Sequence, residues 1–61
     1  MKMIIMNKTF PDNPEYSRIV NAPTLSVPRK GDCVDIGYTP HPVVTQVLWR
    51  FAEDEVIVVV E

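Results

Sequence analysis

Cys33 and His41 are the two residues of this chain whose side chains could act together chemically, as a thiol nucleophile and the imidazole that takes its proton. Their sequence surroundings oppose that pairing. His41 stands between Pro40 and Pro42 with no adjacent carboxylate to orient its ring, and Cys33 follows Asp32, whose negative charge disfavours a thiolate. No catalytic residue is expected on this reading. A metal site fares no better, because zinc takes about three or four ligands and Cys33 with His41 supply two. Asp32 and Asp35 would have to complete it, yet three positions apart on a strand they project from opposite faces. With Gly31 and Gly37 as the only glycines, the chain has no glycine-rich phosphate loop. Neither a metal nor any other cofactor is expected.

Two short motifs invite recognition readings. Asn13-Pro14-Glu15-Tyr16 matches the Asn-Pro-x-Tyr turn that phosphotyrosine-binding-type domains take up as an added strand. The structural reading is a capped turn with Tyr16 packed against the body of the domain. Pro11 and Pro14 have Pro-x-x-Pro spacing, but Asp12 and Asn13 between them favour a turn over a polyproline helix. The acidic run Glu53-Asp54-Glu55 reads as a solvated turn.

The elements that position these residues are mostly strands. A first strand is expected over about Lys2–Thr9, ended by Pro11 and Pro14. Asn13 and Pro14 then open one helical turn within residues 14–20, with a short strand from Tyr16 to Val20 as the alternative. Asn21 to Lys30 reads as a surface loop. From Cys33 to Tyr38, apolar Val34, Ile36 and Tyr38 alternate with Cys33, Asp35 and Gly37, which predicts a half-buried strand. Val43–Ala52 and Glu55–Glu61 form the last two strands and pair as a hairpin. With Glu53-Asp54 at the tip, Phe51 opposes Val56, Trp49 opposes Val58 and Val47 opposes Val60 on the inner face. Arg50 with Ile57, Leu48 with Val59 and Gln46 with Glu61 then make the outer face.

Sixty-one residues, of which 46% are hydrophobic and 23% charged, allow a single domain spanning 1–61 with a small core. A core of this size supplies about 3–5 kcal/mol of net stability unless a crosslink, a metal or self-association adds to it. The lone cysteine excludes an internal disulfide and favours a reducing cytoplasm. The apolar opening Met3 to Met6 stops at Asn7-Lys8, short of a signal sequence, and no stretch approaches membrane-spanning length. A net charge of −2, with six scattered cations, argues against strong binding to a phosphate backbone. The expected fold is mainly β, a small four- to five-stranded barrel or a strongly curled antiparallel sheet.

Val27-Pro28-Arg29-Lys30-Gly31-Asp32-Cys33-Val34-Asp35-Ile36 resembles the loop-into-strand entry of small barrels of the Src-homology-3-like type, where a glycine makes the tight turn. Together with Val47-Leu48-Trp49-Arg50-Phe51 and the acidic hairpin, it is also similar to small uncharacterised proteins encoded by bacteria and their phages. The resemblance covers about residues 27–61. It implies an architecture and a bacterial or phage type, and it brings no activity.

Interaction remains as the class of function to expect. Val44, Leu48, Ile57 and Val59, with Arg50 beside them, put apolar side chains on an outer face that a solvated sheet would make polar. The expected cover is the amino-terminal strand, the Asn21 to Lys30 loop, a second copy of the chain or a protein partner, and the last two make it an interaction surface. A nucleic-acid-associated role is the alternative, resting on Arg29, Lys30, Arg50 and Trp49. No membrane partner is expected.

Overall fold

The computed structural model describes residues 1–21 and 27–61. Four strands form one sheet: β1 (Lys2–Asn7), β2 (Arg18–Asn21), β3 (Val44–Arg50) and β4 (Glu55–Val60). Their spatial order is β2-β1-β4-β3. The two central strands carry the continuous apolar runs, Met3 to Met6 and Val56 to Val60, as strands with neighbours on both sides do.

The fold is mainly β, and among the described residues the other regular elements are two lone 3₁₀ turns at Pro14–Tyr16 and Phe51–Glu53. Two features differ from the sequence expectation. The sheet is open, and it is mixed. The last strand inserts beside the first in parallel, pairing Lys2 with Glu55 through Asn7 with Val60, while β1–β2 and β3–β4 are antiparallel. With β1 and β4 in the middle, β2 and β3 lie at opposite edges and do not meet to close a barrel.

The predicted turn and the predicted strand near residues 14–20 both exist, in succession. The Asn13 side chain accepts a bond from the Glu15 amide (2.9 Å) and Pro14 opens the 3₁₀ turn, after which β2 begins at Arg18. The Arg18 guanidinium then donates to the carbonyls of Pro14, Glu15 and Ser17, tying the turn to the strand. The loop expected over Asn21 to Lys30 falls partly outside the described residues; Asn21 itself ends β2.

The strand expected from Cys33 to Tyr38 is reduced to a single bridge, Cys33 opposite Val43. Its alternation is nonetheless real in burial, with Ile36 buried, Val34 and Tyr38 half-buried, and Cys33, Asp35 and Gly37 exposed. The segment lies over the sheet as a cover instead of joining its ladder. Gly37, at φ 106°, turns the backbone where a strand would continue. Upstream, Gly31 at φ 96° holds the third position of a turn closed by the Asp32 amide on the Arg29 carbonyl (3.0 Å). Gly31 and Asp32 exchange bonds with Val44 (2.8 Å each), which seats this turn on the start of β3.

The core consists of Met3, Ile5, Ile36, Val44, Val56, Val58 and Val60, with Met1, Val27, Val34, Tyr38 and Val47 packed against it. Every sheet residue in that set projects from one face. At its end, buried Asn7 is hydrogen-bonded through both side-chain atoms: its Oδ1 accepts from the Thr9 and Phe10 amides, and its Nδ2 donates to the Tyr38 hydroxyl (2.9 Å). Tyr16 stacks on Phe10 and meets the edge of Tyr38, closing this corner.

Candidate interaction face

The C-terminal hairpin forms, two residues away from the expected register. Trp49 opposes Val56, Val47 opposes Val58 and Leu48 opposes Ile57, where the sequence reading had Val58, Val60 and Val59. Phe51 coils into the 3₁₀ turn and leaves the ladder, and Asp54 reverses the chain at φ 52°. Arg50 then closes the last rung against Glu55 with a 2.7 Å ion-paired hydrogen bond. Because the slip is an even number of residues, each side chain keeps its predicted face. Leu48, Arg50, Ile57 and Val59 are therefore where the sequence placed them.

Val44 is not. The ladder shifts register between Val44 and Gln46, a bulge at Thr45 whose hydroxyl donates to the Val59 carbonyl (3.3 Å). One extra residue inverts the alternation upstream of it. Val44 thus opposes Val60 on the covered face and is buried at 1% exposure. It belongs to the core and not to the outer face.

The sequence reading missed what β1 and β2 add to that face. Their register extends each row of the hairpin across the sheet. One row reads Leu48, Ile57, Ile4, Ile19, and the next reads Gln46, Val59, Met6. Ile4, Ile57, Val59 and Met6 lie on the central strands and are half-buried. Leu48 and Ile19 lie on the edge strands and are 48% and 66% exposed. None of the six belongs to the core cluster.

Charged rows bound this apolar band at both ends. Arg50, Glu55, Lys2 and Asn21 form one. At the other, Lys8 and Glu61 continue β1 and β4, with their charged groups 4.0 Å apart. An apolar centre with a polar, charged rim is the anatomy of a protein interface.

The residues weighed for chemistry are placed apart from this face. Cys33 is exposed, and His41 lies 3.8 Å from an Asp35 carboxylate oxygen, both side chains facing solvent. The Asn-Pro-x-Tyr motif is taken up by the capped turn and the aromatic corner. No group of three or more histidine, cysteine or acidic side chains suited to a metal forms among the described residues. Among them, no helix is long and apolar enough to cross a membrane.

A second surface lies at the β3 edge. Trp49, opposite Val56 on the inner side, is 37% exposed rather than packed into the core, and its ring stacks on Phe51 with centroids 5.8 Å apart. It lines a cleft of about 640 Å³ together with Val27, Pro28, Arg29, Lys30, Thr45, Gln46 and Val47. Comparison of the chain with protein families, with curated proteins and with solved structures finds no match.

Proposed function

We propose that this protein is a small non-catalytic β module acting through protein–protein contact, and that the outer sheet face is its contact surface. The observation that carries this reading is the row Leu48, Ile57, Ile4, Ile19, four aliphatic side chains across four strands on the face opposite the core. A sheet face that ends in water is normally polar, and contiguous exposed apolar patches mark binding surfaces. Covering it would also add burial that a domain with so small a core lacks. The bacterial or phage type and the Src-homology-3-like likeness of residues 27–61 remain part of the same proposal.

The test is to place charge where the face is most open. Leu48→Glu and Ile19→Lys should each change stability by less than about 1 kcal/mol, since little buried area is lost. Association with a partner, read by light scattering, should disappear. Two unfolded variants would instead make the face ordinary core, and the reading would fail.

The cleft beside Trp49 favours a second reading, a nucleic-acid-associated accessory. Arg29 and Lys30 sit at the same cleft as a Trp–Phe stack, which is the pairing of cations and aromatics that single strands use. It ranks lower because Glu53, Asp54 and Glu55 adjoin Phe51, and two or three phosphate contacts give only weak binding with a salt slope of roughly −2. A mobility assay across salt concentrations separates the two: steep weakening with salt belongs to nucleic acid.

A further inference from the structure

Resting on the interaction reading, we infer that the occupant of the outer face is a second copy of this chain, packed face to face about a two-fold axis parallel to the strands. The placement of charge selects that occupant. Such an axis, lying between β1 and β4, sets each β4 residue over the β1 residue of the same row in the other copy. The parallel register pairs Lys2 with Glu55 in one row, and Lys8 stands beside Glu61 at the far end. Glu55 of each copy therefore meets Lys2 of the other, and Glu61 meets Lys8. The Lys8–Glu61 end becomes a square of alternating charge, while at the other end Lys2 approaches a Glu55 that Arg50 of its own chain already holds at 2.7 Å.

The apolar rows match in the same arrangement. Ile57 lies over Ile4, Val59 over Met6, and Leu48 over Ile19. Leu48 and Ile19, the two most exposed aliphatic side chains of the face, cover one another.

Turning the axis across the strands reverses the outcome. Glu55 would then face Glu61 and Lys2 would face Lys8, like against like at both ends. The charges thus select one two-fold arrangement over the other, as complementary rims do in specific interfaces.

The size of the face sets the strength. Three strands roughly 20 Å long and the four-residue β2 at roughly 13 Å, spaced about 4.8 Å apart, bury about 700–1,000 Å² when two such faces meet. That is at or below the lower bound for a specific interface, so the dimer is reversible and depends on concentration.

Sedimentation equilibrium at low ionic strength, where screening is weakest, tests this on the whole chain. The unaltered protein should pass from one-chain to two-chain mass between micromolar and millimolar concentration. Leu48→Glu should stay at one-chain mass. Lys8→Glu should weaken the dimer roughly tenfold, because each substitution acts twice in a symmetric pair. Lys8→Glu combined with Glu61→Lys should restore it. Lys8 and Glu61 are exposed, so melting of the dilute variants should be unchanged.

One-chain mass throughout, with Leu48→Glu still folded, overturns the second-copy inference and leaves the face to a different protein. A dimer untouched by Leu48→Glu overturns it too, as does one that Lys8→Glu strengthens, which would belong to the crossed axis. A double variant as weak as Lys8→Glu alone also counts against it. Unfolding of Leu48→Glu would remove the interaction reading itself.

Discussion

Strand β4 runs Val56-Ile57-Val58-Val59-Val60, five β-branched residues that differ by one methylene, yet its two faces have opposite fates. Val56, Val58 and Val60 have no exposed surface, whereas Ile57 and Val59 remain half-buried. The difference lies in what crosses each face. Residues 27–38 and the aromatic corner lie over the first, and no described residue outside the sheet adds Ile57 or Val59 to the core. Burial here is a property of the cover and not of the residue, so the outer face is as apolar as the core itself.

Charge substitution should separate the two faces most sharply. Val58→Asp puts a carboxylate where no counter-ion or water reaches, at a cost of several kcal/mol, comparable to the roughly 3–5 kcal/mol a core of this size supplies. The chain should be unfolded by circular dichroism. Its neighbour Ile57→Lys, with a long stem that carries the charge out to solvent, should melt cooperatively at a loss of about 1 kcal/mol. Equal loss in both would erase the contrast.

Asn7 tests the covered face by polarity. Asn7→Ala leaves the Thr9 and Phe10 amides without their acceptor and the Tyr38 hydroxyl without its donor. The expected loss is about 2–3 kcal/mol, against about 1 kcal/mol for Tyr38→Phe, which removes a single bond. Denaturant melts of the pair give the difference directly. If the two variants lose equally, the amides have found another acceptor.

Trp49 gives the smallest effect of the three. Deep burial would make Trp49→Ala cost about 3–5 kcal/mol. At the β3 edge, 37% exposed and stacked on Phe51, it should cost about 1–2 kcal/mol and leave a folded chain. A larger loss in a thermal melt would extend the covered face to the hairpin end.

Much of this architecture could be read from spacing. The alternation through Leu48, Arg50, Ile57 and Val59 assigned one face correctly although the register was two residues off, because an even slip preserves alternation. Val44 escaped for the complementary reason. A single bulge at Thr45 inverts parity, and nothing in Val43-Val44-Thr45-Gln46 announces one. The 33–38 segment shows that alternation reports burial against a surface, whether or not the segment bonds to it as a strand.

By itself the sequence determined the local events: the Asn13-Pro14 turn, the hairpin, and the β character of the apolar runs, whereas the turn at Gly37 falls where it read a strand. Those follow from steric preferences and hydrogen-bonding groups a few residues apart. Only the tertiary structure decided that β4 inserts beside β1 in parallel, which opens the sheet and brings Lys2 to Glu55 and Lys8 to Glu61. It also decided that Ile4, Met6 and Ile19 join Leu48 and Ile57 in one apolar band. Consecutive apolar residues fit either face of a strand equally well, so the choice falls to whichever distant segment packs against one side.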